Sequence, residues 1–391
     1  MTGQFPDLRA GVREITAGQL KARLDAGEAV TILDTRRPED FEAWTLTHPN
    51  VTNVNVPFTA FLTDGEPAET VPDGVPEGPL VTCCAKGISS LYVAEFLAQA
   101  GWDVEALDDG MRGWARLYEA QEVDGVDGAG ATVLQYHRPS SGCLAYLVVS
   151  GEDAAVIDPL RAFATRYAED AAEHGATLRY ALDTHVHADH ISGVRDVATL
   201  TAAEPVLPVG ATDRGLAFEA TVLADGDTLE VGTATIDAVH IPGHTSEMTG
   251  YRVGDVFVTG DTLFTDSVAR PDLEAGAAGA SEAAGKLWET LQAIAELSEE
   301  TVIAPAHTSP GDEAAADGTY TARLGALRGS LAAFDQDRQT FVETTIADMP
   351  PRPNNFEEII ATNLGRETVD DDEAFELELG PNNCAAAPSA D

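Results

Sequence analysis

The chain of 391 residues has 23 basic against 66 acidic residues, a formal net charge of −43, and is 44% hydrophobic. That apolar share excludes an intrinsically disordered acidic chain, and the scarcity of cations argues against nucleic acid as a partner, because phosphate neutralisation needs basic patches. No run of about 18 apolar residues is present, which excludes a membrane-spanning helix.

The length suits two or three domains, each able to bury its own core. The acidic residues are scattered through folded-looking segments, apart from "VDDDEAFELE" near the end. Self-repulsion of this size is tolerable when salt screens it, since the Debye length falls to about 3 Å at 1 M. The surface therefore reads as adapted to a salt-rich cytoplasm. A melting temperature lower in dilute buffer than in molar salt is expected, by more than the few degrees that about 1 kcal/mol is worth in a domain of this size. An unchanged melting temperature would contradict it. The start, "MTGQFPDLRAGVREI", lacks the basic and apolar stretches of a signal peptide, and four cysteines, two of them adjacent, do not make a secreted disulfide framework. A cytoplasmic location is the simplest expectation.

In chain order, "VTILDTR" (30–36) reads as a buried strand followed by a helix opening at Pro38. "LVTCC" (80–84) is a strand and "SSLYVAEFLAQAG" (89–101) a helix with apolar residues at helical spacing, after which "VEALDDG" and "MRGWARLYEA" repeat the pattern. This predicts an α/β domain with a mainly parallel sheet. "EVDGVDGAGAT" (122–132) reads as a linker, dividing the chain into domains at 1–124 and 125–391. Beyond it, "TVLQYHR", "CLAYLVVS" and "AAVIDP" suggest a meander, and 161–174 a helix. The strand "LRYALDTH" enters a histidine cluster. Two hairpins turning at Gly232 and at Gly254-Asp255 follow, then a helix over 281–298 and the strand "TVIAPAH".

Of nine histidines, three fall within "THVHADHISG" (184–193). Donors come from four segments: His185, His187, Asp189 and His190; His244 in "PGHT"; Asp261 in "GDTLF"; and His307 in "PAHT". Small or turn-forming neighbours let the backbone set each donor at a loop tip after a strand. Imidazole and carboxylate without thiolate suit zinc, iron or manganese. His137, His174 and His240 default to structural roles.

The spacing over roughly 131–310 resembles the metallo-β-lactamase superfamily, whose H-x-H-x-D-H motif matches His185, His187, Asp189 and His190. That resemblance implies an αββα sandwich with the site at one edge. "THVHADHISG", "GDTLF", "ARPDLE" (269–274) and "MPPRPNNFEEIIATNLG" (349–365) look like the persulfide dioxygenase branch. This branch implies one Fe(II) per chain on His185, His244 and Asp261, a two-histidine, one-carboxylate set with open positions. His187, Asp189, His190 and His307 would then orient these ligands or hold a second metal. The family's arginine at this point suggests that Arg270 holds the charged end of a persulfide.

"CCAKGISS" (83–90) joins an apolar strand to a helix, where backbone N–H groups and the helix dipole converge and stabilise a thiolate. Residues 14–120 resemble a rhodanese domain, through "LDTRRPEDF" (33–41) and "DDGMRGW" (108–114). By that match Cys84 is the sulfur-carrying nucleophile, in a loop of the six-residue length expected of sulfur chemistry. Many rhodaneses have arginine near the loop's end where this chain has Ser89, leaving Lys86 as the loop's cation. Cys83 is expected to pack in the strand, and Cys143 and Cys384 receive no role.

The combined expectation is an α/β protein with a rhodanese-like domain and a metallo-β-lactamase αββα sandwich, oxidising a low-molecular-weight thiol persulfide with O2 to sulfite and thiol. Thiosulfate or sulfite would serve the rhodanese domain; no nucleic acid or membrane is involved, and a homo-oligomer is left open. Two rivals remain. One is a binuclear thioester hydrolase of the glyoxalase II type, with two zinc ions and a metal-activated hydroxide. The other is a sulfur carrier or sensor with a vestigial metal fold, whose mark would be a missing ligand; none is missing.

Overall fold

The structure is a computed structural model that describes residues 11–62, 70–124, 126, 130–274, 276–309, 312–347, 349–380 and 382–386. The chain forms two compact units. The first runs to Leu117 and takes in Arg138–Ser140; the second comprises Tyr118–His137 and the residues from Ser141 onward.

The first unit is built on a five-stranded sheet in the order Arg13–Ile15, Val104–Leu107, Leu80–Cys83, Val30–Asp34, Val51–Asn55, with every neighbouring pair parallel. Both faces are covered, and the central strands Leu80–Cys83 and Val30–Asp34 are almost wholly buried. Alternation divides them: Ile32 and Val81 join one core with Leu20, Leu24 and Trp114. Leu33 and Leu80 join the other with Val93 and Leu97 of the helix Ile88–Gln99. Cys83 follows Val81 into the first core, which leaves Cys84 at the strand's end.

The second unit has two sheets. Seven strands run in the order Thr221–Leu223, Glu204–Pro208, Thr177–Leu182, Asp153–Ile157, Cys143–Ser150, Thr132–Arg138, Glu119–Glu122. Six run in the order Thr228–Val231, Ala234–His240, Thr249–Val253, Val256–Gly260, Val302–Pro305, Ala322–Arg323. Between them lies one core, with Leu144, Tyr146 and Val148 from the first sheet against Ile236, Tyr251, Val253 and Val258 from the second. The outer faces are covered by Ala164–Glu173 and Val194–Thr201 on one side and by Gly276–Ala295 on the other. This is the αββα sandwich expected. The hairpins turn at Gly232 and at Gly254-Asp255.

Some boundaries differ. The segment over 161–174 opens as a 3-10 turn, Arg161–Phe163, before the helix Ala164–Glu173. The helix expected over 281–298 already starts at Gly276 and ends at Ala295. The linker of 122–132 is flanked by paired strands, Glu119–Glu122 and Thr132–Arg138. Residues 125 and 127–129 within it lie outside the described residues. No helix among the described residues is long and apolar enough to cross a membrane.

Candidate active site

The strands Asp153–Ile157 and Thr177–Leu182 are parallel neighbours and end side by side. Asp158 follows the first in left-handed backbone conformation (φ 52°), which costs a non-glycine residue energy and persists only where its surroundings over-determine it. Its carboxylate accepts bonds from the backbone N–H and hydroxyl of Thr184 at 2.7 and 3.0 Å, clamping the start of the histidine loop. On the other sheet, Gly260 precedes Asp261 with φ 53°, and a Cβ there would meet Met248 Sδ and Thr184 Oγ1 at 2.8 Å. Glycine is required for the two loops to meet.

Three donor atoms converge. Thr184 donates its hydroxyl to Asp158, so the hydroxyl oxygen is left to accept from His185 Nδ1 at 3.0 Å, and His185 Nε2 keeps a free lone pair. His244 Nδ1 donates to the carbonyl of Arg270 at 2.9 Å, with the same result at its Nε2. His307 Nδ1 donates to Asp261 Oδ1 at 2.5 Å, leaving Oδ2. His185 Nε2 and His244 Nε2 each lie 3.6 Å from Asp261 Oδ2. All three atoms are buried and lack a hydrogen-bond partner. Three orphaned donors in a dry interior are costly unless an ion satisfies them. Two donors about 2.1 Å from one ion stand roughly 3–3.5 Å apart, so the set fits a metal. The protonation states fit as well. Burial holds His185 well below the usual imidazole range, and His244 below it too. Burial would raise Asp261, but the His307 charge and hydrogen bond outweigh it and hold the carboxyl low. Neutral imidazoles and an ionised carboxylate are the forms a cation binds.

The remaining predicted donors divide. His187 Nε2 donates to Asp158 at 3.0 Å and lies 3.7 Å from Asp183, while its Nδ1 is buried without a partner, its ring 4.2 Å from those of His185 and His190. Asp189, His190 and His307 come together with Cys143: His307 Nε2 donates to Asp189 Oδ2 at 2.7 Å, and the Cys143 thiol donates to the same oxygen at 3.4 Å. Asp189 Oδ1 and His190 Nε2 are buried without partners. Cys384 lies close to Asp261 and His307. Cys143, Cys384 and Asp158 had been given no role.

Arg270, expected to hold the charged end of a substrate, is instead buried and committed. Its Nε and Nη2 donate to Asp272 at 2.8 and 3.1 Å, and its Nη1 to the carbonyls of Pro351 and Asn383 at 2.7 and 2.9 Å. A guanidinium paired this way holds the C-terminal segment against the loop whose carbonyl orients His244. The segment clamps the histidine loop too. Asn363 donates to the carbonyls of His187 and His190 at 3.0 and 2.9 Å, and accepts from the N–H of Ser192 at 2.9 Å. Asn363 lies in the quoted "MPPRPNNFEEIIATNLG", but nothing in the residue type marked it.

In the first unit, Cys84 borders a cavity of about 350 Å³ lined by Thr35, Arg36, Arg37, Phe58, Lys86 and Ser89, among others. Arg36 and Arg37 line it beside Lys86, the loop's own cation, although Arg36 is bound to Asp34 and Arg37 to Asp40. Gly110, at φ 53°, lies so close that a Cβ would strike the Cys84 carbonyl, which accepts from Met111 N at 2.8 Å. Burial pushes the Cys84 thiol up, but hydrogen bonds from the Ser89 and Ser90 hydroxyls and from backbone N–H groups outweigh it, and the net shift is downward. Ser90 Oγ donates to the sulfur at 3.2 Å. Cys83, by contrast, is raised well above the thiol range by burial. Ser89 thus takes part in stabilising the thiolate at the point where many rhodaneses have arginine. Ser90→Ala is expected to move the midpoint of Cys84 alkylation, followed peptide by peptide against pH, upward. An unmoved midpoint would show that the hydroxyl does not hold the charge.

Residues 138–307 match the family model of the metallo-beta-lactamase superfamily, and residues 16–117 that of the rhodanese-like domain. The mitochondrial persulfide dioxygenase ETHE1 of Homo sapiens is 31% identical over 159 residues, 39% of this chain and 61% of that protein. A hydroxyacylglutathione hydrolase of Erythrobacter litoralis is 28% identical over 222 residues, 55% of this chain and 78% of that protein. The crystal structure of ETHE1 from Myxococcus xanthus aligns with a TM-score of 0.52 at 25% identity, over 60% of this chain and 98% of that one. Other curated relatives, from Xylella fastidiosa, are matched over 46% of their length.

Proposed function

We propose that this chain, which joins a rhodanese-like domain to a metallo-β-lactamase superfamily domain, is a cytoplasmic iron-dependent persulfide dioxygenase coupled to sulfur transfer. The observation that carries the reading is the convergence of His185 Nε2, His244 Nε2 and Asp261 Oδ2, two nitrogens and one oxygen, buried and unpaired. Two histidines and one carboxylate are the donor set of non-haem iron oxygenases. Iron(II), when bound there, supplies the redox chemistry by which O2 oxidises sulfane sulfur. The overall reaction balances as R–S–SH + O2 + H2O giving R–SH + sulfite + two protons.

The protein's own contribution is orientation and dryness. Thr184 and Asp158 fix the ring of His185, the Arg270 carbonyl that of His244, and His307 the carboxylate of Asp261. Near-complete burial keeps bulk water away from a reactive sulfur. In the other unit, the Cys84 thiolate attacks the outer sulfur of thiosulfate, sulfite leaves with the electrons of the broken S–S bond, and Cys84 is left as a persulfide that a thiolate can take up. The lowered Cys84 pKa and the cations lining its cavity support this step.

A binuclear thioester hydrolase is the second reading. The unpaired Asp189 Oδ1 and His190 Nε2 beside His307 favour it, as does the likeness to hydroxyacylglutathione hydrolase. Metal analysis of anaerobically purified protein separates the two: one iron per chain is expected, and two zincs in the active protein would support the hydrolase.

A further inference from the structure

His244 also borders a small cavity of about 150 Å³. One wall is the loop from Gly243 to Ser246, the opposite wall the face of the helix Gly276–Ala295 that presents Gly279, Glu282, Ala283 and Lys286. The spacing i, i+3, i+4, i+7 sets these on one side of the helix. Gly279 and Ala283 leave the space; Glu282 and Lys286 flank it. Lys286 is one of three lysines in a chain of net charge −43, so a cation here is conspicuous. It pairs with Glu282 at 3.2 Å, both largely exposed, in a contact that costs little to open. Glu274 lines the same cavity and accepts from the N–H and hydroxyl of Ser246 at 2.6 and 2.8 Å. A separate feature points to a ligand: Thr245, 5% exposed, is among the residues lining the cavity, and its buried hydroxyl has no hydrogen-bond partner.

We propose that this cavity receives the head group of the thiol carrier, and that the carrier is a small zwitterion of single amino-acid size. Its carboxylate meets Lys286, its ammonium group Glu282, and Thr245 bonds a polar atom between them. The opposite charges of the ligand replace the Lys286–Glu282 pair end for end, so neither side chain is left unpaired. The volume is that of about five water molecules, well below the several hundred Å³ of a cavity that encloses a tripeptide-sized molecule. The proposal rests on the persulfide dioxygenase reading for its substrate, but the cavity's charge pattern can be tested without turnover.

Two measurements on the full chain suffice. The first is oxygen uptake with the persulfides of cysteine, of cysteamine, which lacks the carboxylate, and of N-acetylcysteine, which lacks the ammonium group. The cysteine persulfide is expected to exceed both in kcat/KM by up to about fivefold, the worth of one exposed ion pair. Lys286→Ala should erase the preference over cysteamine, and Glu282→Gln the preference over N-acetylcysteine. The second is calorimetric binding of S-methylcysteine, an unreactive zwitterion, expected to weaken up to about fivefold in Lys286→Ala by the same interaction. Binding that depends on Lys286 without any oxygen uptake would uphold the site and overturn the dioxygenase reading. Equal rates for the three persulfides, unchanged in both variants, would overturn the site and leave that reading standing.

Discussion

Asp261→Ala is expected to lose its iron, and with it persulfide-dependent oxygen uptake should fall by more than the roughly 10–100-fold that removal of an orienting neighbour costs. Asp261 Oδ2 is the carboxylate member of the three unpaired donors, 3.6 Å from both His185 Nε2 and His244 Nε2. A methyl group cannot replace it as a ligand. Its other oxygen accepts from His307 Nδ1, so the change also leaves a buried, positively inclined imidazole without that partner: burial would lower His307, but Asp261 and Asp189 together raise it well above its usual range. Some loss of stability is therefore expected from the substitution itself. Asp261→Asn, which keeps the volume and an oxygen for His307, separates the two effects: its melt should stay near that of the parent while its iron content drops. Iron content measured by elemental analysis on both variants decides the matter, and full retention in both would remove Asp261 from the ligand set.

Cys84→Ser should reduce thiosulfate-to-thiol sulfur transfer to background while oxygen uptake with a small persulfide persists. Serine keeps the loop nearly intact, since the Cys84 position is held by its backbone, with its carbonyl accepting from Met111 N. The hydroxyl does not ionise near neutral pH and holds no sulfane sulfur. Among the described residues no other cysteine is placed to substitute: Cys83 is buried in the core with its thiol raised, and Cys143 and Cys384 belong to the other unit. Both activities are measured on one preparation. Loss of both would mean that the metal site is fed through Cys84, and retained thiosulfate turnover would mean that the nucleophile is another residue.

What was legible in the sequence follows from the range of the interactions involved. The donors His185, His244, Asp261 and His307 each sit in a short loop after a strand, with glycine, proline or threonine beside them, and such local patterns survive in a linear reading. The hairpins at Gly232 and Gly254-Asp255 were readable for the same reason. The groups that orient the donors were not. Asn363 grips the histidine loop across 173 and 176 residues, and no local pattern marks one asparagine among polar neighbours. Asp158 shows its role only in its left-handed backbone and its bonds to Thr184 and His187. Cys143 looked like one more apolar position on a strand until the fold set it against Asp189. Arg270 invited the opposite error. Its family match suggested a hand held out to substrate, whereas Asp272 takes its Nε and Nη2 and the C-terminal segment its Nη1. The strand Glu119–Glu122, "EAQE", has no apolar alternation to announce it and exists by pairing with Thr132–Arg138.

The most direct test of the central claim is the stoichiometry of the reaction, measured in one vessel with an oxygen electrode and a sulfite assay on anaerobically prepared protein given a thiol persulfide. One O2 consumed and one sulfite and one thiol released per persulfide is the predicted result. Sulfite absent and oxygen untouched, with rapid hydrolysis of a thioester by the same sample, would contradict it.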